Sequence, residues 1–360
     1  MRAGEAPSVV VFTRGRPGFV HRLTRYYAEY PGRLIVVDGS ADAVPGLRMP
    51  HAGVYLHRPG MSVHHRIEEG ISRVTASACT LAADDDYQVH GGLIACGHAI
   101  DSDPGIACAA GTVAYFAGDR RSPRDAIADG AIERILEVPC LPDPARRFDA
   151  VISTGPHVLY ACMRTSVALR VAATLADLAD EDGLVGEQLW GPLASLFGRV
   201  AFVDRLQLCR RKAQRDYSDY LAAFRALDDV AEWSRFSEFS SRFRRLAIEA
   251  GADAPGADAV IESWRAYASS TSRGERAWAR RRLPASVRAR RIARNLLSNV
   301  GMVTSPRAWV DPDVRVVARN RSVRITLRGS AYPWSDPVAR ADYERIMAFD
   351  AQQVTPAAAT

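Results

Sequence analysis

The chain predicts an α/β protein built on a mostly parallel sheet, and three observations carry that expectation. Short apolar runs alternate with segments of helical spacing across residues 8–86. The order of those segments is strand, helix, strand, strand, helix, strand, the alternation of a parallel sheet with crossover helices. Three of the runs end on polar or acidic residues: Thr13, Asp38, and the triplet Asp84, Asp85 and Asp86. Ligands of such sheets gather at the carboxyl ends of the strands.

SVVVF (8–12) is a valine-rich run that leaves into the tight TRGRP loop, which predicts a buried strand. FVHRLTRYYAEY follows, with Phe19, Leu23, Tyr26 and Tyr27 at helical intervals before Pro31 and Gly32. RLIVVDGS (33–40) is a second strand and GVYLHRPG (53–60) a third. SVHHRIEEGISRVT places Val63, Ile67, Ile71 and Val74 on one helical face. ACTLAA (78–83) is the fourth strand and runs into the aspartates. GGLIACGHAIDSDPG then reads as a helix ending at Asp103 and Pro104, and IACAAGTVAYFAG as a small-residue strand. The loop-rich segment 119–144 suits a lid or an acceptor-facing wall. HVLYACMRTSVALRVAATLADLA gives a strand and a helix. VGEQLWGPLASLFGRVAFVDRLQLCRRK gives a helix, a break at Gly198 and a strand ending in Arg210, Arg211 and Lys212.

The character changes after residue 212. Tyr220, Phe224 and Leu227, then Trp233, Phe236, Phe243 and Leu246, stand at helical intervals and predict core contacts. ASVRARRIARNLLSNV is a basic amphipathic helix, and VRVVARNRSVRITLRG alternates with period two about Asn320 and Arg321, as a hairpin does. The expected organisation is a nucleotide-binding and catalytic unit at 1–212, a mainly helical extension with the basic helix and hairpin at 213–350, and a disordered tail at 351–360.

Composition narrows the function. Nothing approaches the roughly 18 consecutive apolar residues of a membrane span, and the first residues lack a secretory pattern, so the cytoplasm is the expected location. The six cysteines form no Cys-x-x-Cys pair and no zinc spacing. No glycine-rich Walker loop supports an ATPase, and no Gly-x-Ser-x-Gly elbow supports a hydrolase. The net charge is +6, with Arg280, Arg281, Arg282, Arg288, Arg290, Arg291 and Arg294 crowded together. Such a stretch can meet an anionic membrane or nucleic acid, or form an ordinary solvated helix face.

The triplet carries the sharpest chemical signal. Three adjacent carboxylates repel unless a cation or donors offset them. In an extended chain Asp84 and Asp86 point to one side and Asp85 to the other, so the pair offers two oxygen ligands to a hard divalent ion, Mg²⁺ or Mn²⁺. Such a site suits a nucleotide diphosphate. Asp38 can accept from a ribose hydroxyl or base N–H, while Thr13 and Arg14 can meet a base or phosphate. Each has a plainer reading as a turn or capping residue, and the triplet as a solvated acidic turn.

VVVFTRGRPGFVHRLTRYYAE, LIVVDGS and ACTLAADDDY, taken together, resemble the nucleotide-binding half of a GT-A (Rossmann-like) glycosyltransferase, in a bacterial group related to the inverting family 2 enzymes. That group has a T-x-x-R-P loop after strand one, an Asp ending strand two and an ADDDF motif; this chain has Tyr87 for the phenylalanine. The likeness covers roughly residues 8–211 and gives no motif for the C-terminal third. It implies transfer of a sugar from a nucleotide diphosphate-sugar, with UDP the commonest donor type, to a hydroxyl acceptor, lipid-linked or a glycan, by inverting single displacement. It further implies Thr13 and Asp38 at the nucleoside, Asp84 at the ribose or metal, and Asp86 on an Mn²⁺ or Mg²⁺ ion. The family's base at a late helix start falls on Glu187, with Asp182 second, although the usual Glu-Asp pair is absent because Gln188 follows Glu187. Asp85 joins the donor-binding set, Arg210 and Arg211 could clamp the diphosphate, and His64, His65 and Arg66 lie on a helix that could reach it. No nucleic-acid partner is expected, and the basic helix suits peripheral contact with the inner membrane face. Two readings compete: a sugar nucleotidyltransferase, for which FTRGRPG is only a short echo of the glycine-rich loop, and a non-catalytic scaffold that binds polynucleotide or membrane through its basic region.

Overall fold

Strand β1 (Ser8–Thr13) forms where the sequence places its longest run of valines, and Val9, Val10 and Val11 are fully buried. The structure, a computed structural model, describes residues 5–50, 52–117, 131–134, 141–152, 156–176, 184–212, 230–279, 314–319, 322–328 and 337–354. Helix α1 (Pro17–Tyr26) starts on a proline, whose missing N–H costs nothing at a first helical turn. It closes in a 3₁₀ turn at Tyr27–Glu29. Strands β2 (Leu34–Asp38) and β3 (Val54–His57) follow. Helix α2 (Val63–Ser72) is capped by Ser62, whose hydroxyl accepts from the His65 N–H. Strand β4 (Ala78–Ala83) completes the unit, and all of these elements fall where the apolar periodicity predicts them.

β1 pairs in parallel with β2 on one side and β4 on the other, and β2 pairs in parallel with β3. The registers Thr13↔Asp38 and Phe12↔Ala83 bring Thr13, Asp38 and Asp84 to one edge. Strand β5 (Tyr87–Gln88), helix α3 (His90–Ser102) and strand β6 (Ile106–Ala117) come next. The remaining elements are β7 (Ala131–Arg134), α4 (Pro144–Ile152), β8 (Cys162–Arg164), α5 (Thr165–Leu175), α6 (Leu184–Ser195), β9 (Arg199–Lys212), α7 (Val230–Glu249), α8 (Ala254–Ala279), β10 (Val314–Arg319), β11 (Ser322–Arg328) and α9 (Pro337–Val354).

Eleven strands among the described residues join one mixed sheet, Rossmann-like in its first half and flanked by helices. Of the mostly parallel sheet expected, β1 to β4 pair in parallel, as do β6 and β9, whereas β5, β7, β8, β10 and β11 make antiparallel pairings. The hairpin read at the C-terminus is present as β10–β11, and β11 pairs with β7 and so extends the same sheet. β7 lies within the segment read as a loop or lid. Helix α9 continues to Val354, into the segment read as a tail.

One face of the sheet packs Val10, Ile35, Val37 and Leu81 against α2, α4, α5 and α6, with Phe243, Leu246 and Trp264 from α7 and α8. The other face packs Val9, Val11 and Val36 against Val20 and Leu23 of α1, Leu93 of α3, and Ala339, Tyr343, Ile346 and Met347 of α9. The last helix therefore shares a core with the first strand. The five described cysteines, Cys79, Cys96, Cys108, Cys162 and Cys209, are buried and free, as their apolar neighbours predict. No helix among the described residues is long and apolar enough to cross a membrane. The arginine cluster at 280–294 lies outside the described residues.

Candidate functional site

The three aspartates follow β4 in a turn closed by the Asp86 N–H on the Ala83 carbonyl at 3.3 Å, not in extended chain. This corrects the expectation that Asp84 and Asp86 share one side by strand alternation. In the turn Asp84 and Asp86 find different partners, which offset their like charge. Asp84 is buried and accepts from the Thr13 hydroxyl at 2.6 Å and from Arg16 Nη1 at 2.8 Å. Asp85 lies 3.4 Å from the same Arg16 nitrogen. Asp86, also buried, accepts from the Arg211 backbone N–H at 2.8 Å and lies 3.7 Å from Arg210 Nε.

Arg210 reaches further. Its Nη2 is 3.5 Å from Glu187 Oε1, and its guanidinium lies over the Tyr160 ring, 5.0 Å from the centroid. One arginine thus links Asp86 at the end of β4 to Glu187 in the first turn of α6. Glu187 follows Gly186, where a Cβ would collide with the buried His64 ring of α2. His64 therefore packs against the start of α6, and His65 sits at the α2 cap, its Nδ1 2.8 Å from the Ser62 hydroxyl. Asp182 lies outside the described residues.

Asp38 is fully buried and holds a loop together. It accepts from the Ser40 N–H and hydroxyl and, at 2.7 Å, from the Tyr55 hydroxyl. Ser40 Oγ in turn accepts from the Gly15 N–H at 2.7 Å. Asp38 thus ties the loops after β1 and β2 together, its carboxylate engaged by Ser40 and Tyr55. Burial, then the bond to Asp38, raises the Tyr55 phenol to about 12. Arg66 is buried beneath the same loops, donating to the Thr13 carbonyl. A Cβ at Gly39 would come within 2.9 Å of its guanidinium, so only glycine lets the two approach. Burial, then repulsion from Arg14, holds Arg66 below the usual guanidinium value. Arg14 itself is exposed.

The electrostatics of the turn follow from its burial. Desolvation is the main cause pushing Asp86 up to about 7, opposed by Arg210 and the Arg211 N–H. Asp84 is raised as well, again chiefly by burial and against the pull of Thr13 and Arg16. Two buried carboxylates with a third beside them offer hard oxygen donors, and a cation would offset the desolvation that raises them. By that chemistry the residues fit Mg²⁺ or Mn²⁺. Among the described residues no three acidic, histidine or cysteine side chains converge on one point. A cation here would draw the rest of its shell from outside these side chains.

Several site residues escaped the sequence reading. Arg16, not Arg14, pairs with the turn, although the arginine of the T-x-x-R-P loop is Arg16 and the motif itself could have found it. Arg22 donates to the Asp84 carbonyl at 2.8 Å, Tyr160 lies under Arg210, and Asp350 accepts from Arg211 at 2.6 Å. No local pattern marks these three.

No protein-family model matches the chain, and no curated protein matches it. Solved structures similar to it include Staphylococcus aureus TarS, at 13% identity and TM-score 0.42 over 74% of this chain and 44% of that one. TarS 1–349 in complex with UDP-GlcNAc is 15% identical, with TM-score 0.42 over 74% of this chain and 73% of that one. TarS 1–349 in complex with UDP is 14% identical, with TM-score 0.39 over 71% and 70%. This chain spans less than half of the longer TarS chain. Likenesses this distant lie below the level at which a ligand or an activity carries over.

Proposed function

We propose that this chain is a glycosyltransferase that moves a sugar from a nucleotide diphosphate-sugar, a UDP-sugar in the first instance, to a hydroxyl acceptor. One observation carries the reading: the buried acidic turn stands at the carboxyl end of β4, level with the loops after β1 and β2, and Arg210 ties it to Glu187. In a sheet of this kind the carboxyl ends of parallel strands are where nucleotides bind. The resemblance of the three strand-end motifs to GT-A enzymes points the same way.

In this reading Asp84 and Asp86 hold a divalent ion, with Asp85 beside them. Bound Mn²⁺ or Mg²⁺ would supply positive charge to the departing diphosphate. Thr13 and Arg16 fix Asp84 so that its carboxylate keeps one direction. Asp38, through Ser40 and Tyr55, shapes the loop that receives the nucleoside, and exposed Arg14 is available to a phosphate. Glu187 accepts the proton of the acceptor hydroxyl as its oxygen bonds to the anomeric carbon. The bond from that carbon to the diphosphate oxygen breaks, and its electron pair leaves with the nucleoside diphosphate. Arg210 orients Glu187 and faces the leaving group, and inversion follows if that single displacement is the whole reaction.

A thermal-shift screen of UDP, GDP, UDP-GlcNAc and UDP-glucose, each with and without Mn²⁺, tests the proposal. Stabilisation that needs both nucleotide and metal is the expected result. No metal-dependent shift with any of them would overturn it.

A further inference from the structure

Behind the acidic turn, two arginines lie side by side with one carboxylate between them and a distant part of the chain. Asp350, on α9, accepts from Arg22 Nη1 at 3.1 Å, the Tyr87 hydroxyl at 2.7 Å and Arg211 Nη2 at 2.6 Å. All three donors converge on one oxygen, Oδ1, and the sequence separations are 328, 263 and 139 residues. The side chains are 4, 11 and 14% exposed for Arg22, Asp350 and Arg211, so water does little to screen the two cations. Both guanidiniums also lie over the Phe19 ring, at 4.5 and 5.7 Å.

Each arginine also touches the turn through a different group. Arg22 Nη2 donates to the Asp84 carbonyl at 2.8 Å, and the Arg211 backbone N–H donates to Asp86 Oδ1 at 2.8 Å. We propose that Asp350 is a positioning residue of the acidic turn: it offsets one of the two charges of the Arg22–Arg211 pair, engages both guanidiniums and so holds them off the Asp84 and Asp86 carboxylates. The last helix is then part of the site's construction. Without that anion, two buried cations stand beside two carboxylates, and the short route to neutrality is for the guanidiniums to turn onto the acids. The cation affinity of the turn would fall with them. The inference rests on reading the acidic turn as the site, but its first test does not need a ligand.

Hydrogen exchange of the full chain compares wild type, Asp350→Asn, and Asp350→Asn combined with Arg211→Gln. The single variant is expected to exchange about tenfold faster at residues 84–88 and 209–211, with residues 34–37 unchanged. Removing one cation in the double variant returns the cluster to its wild-type net charge, and most of the protection should return. No change in the turn, or a loss everywhere that the double variant does not reverse, overturns the proposal. If Asp350→Asn does not fold, recovery of the fold in the double variant supports it and failure of both overturns it. A Mn²⁺ titration followed by electron paramagnetic resonance adds a second reading, with about tenfold weaker binding expected in Asp350→Asn, the effect of losing an outer partner. A wild-type protein that binds no Mn²⁺ would count against the proposed function, and the exchange comparison would still decide the role of Asp350.

Discussion

The acidic turn is held differently at its two ends. Asp84 is gripped by the opening unit of the chain, through the Thr13 hydroxyl at the end of β1 and Arg16 at the start of α1. Asp86 is held from far away, by the Arg211 N–H and Arg210 more than 120 residues on. Asp350 secures that end through the Arg211 side chain. The near end is delivered by the register of a parallel strand pair together with the loop that leads into α1. The far end exists only because β9 pairs with β5 and α9 packs across α1 and α3. The acidic turn is therefore held half by the opening loop and half by the tertiary fold.

Substitutions should separate the two ends. Asp86→Asn removes a carboxylate from the turn itself, and Mn²⁺ titration should show a loss greater than the roughly 100-fold that losing an outer partner costs. Comparable Mn²⁺ affinity in this variant would place the cation elsewhere. Glu187→Gln is expected to leave nucleotide binding within about threefold while lowering transfer about 100-fold or more, as loss of a general base does. Parallel losses in binding and turnover would make Glu187 a structural residue.

At the near end, Arg16→Gln breaks an ion pair whose arginine is about a third exposed. Nucleotide affinity is expected to fall no more than about fivefold, the range of a solvent-screened pair. A loss as large as that of Asp86→Asn would erase the distinction between the ends.

The smallest effect concerns His90, which begins α3 among the rings of Tyr26, Tyr27 and Tyr30, with Arg25, Glu29, Asp342 and Arg345 around the adjoining cavity. Burial, then Arg345, lowers its imidazole to about 4. The unfolded chain thus takes up a proton near pH 6.5 that the fold resists, so this contribution is complete above pH 6.5 and is lost as the pH falls towards 4. His90→Phe should flatten the stability profile in that window by about 2 kcal/mol at most. Chemical denaturation at pH 5 and pH 7.5 measures it, and an unchanged slope would mean that His90 titrates alike in both states.

Much of the near end was legible in the sequence because strands and crossover helices write themselves in local periodicity. β1, β2 and β4, with Thr13, Asp38 and Asp84 at their ends, follow from apolar runs of five or six residues. The turn at 84–86 was misread as extended because strand alternation says nothing of how like charges are relieved once the strand stops. Arg22 and Asp350 carried no signal, since each looks like a surface residue until a helix from the other end of the chain covers it. Helix α4 was missed because PARRFDAVI follows a loop-rich stretch and shows its apolar face only against α6 and α8.

The most direct test of the account is UDP binding by isothermal titration calorimetry, run with Mn²⁺ and with EDTA, on wild type and Asp86→Asn. Tight binding is expected for the wild type only with Mn²⁺, and the same weak, metal-independent heat for the variant in both buffers. Equal affinity of wild type and variant in Mn²⁺ would contradict the claim that the acidic turn holds the nucleotide diphosphate.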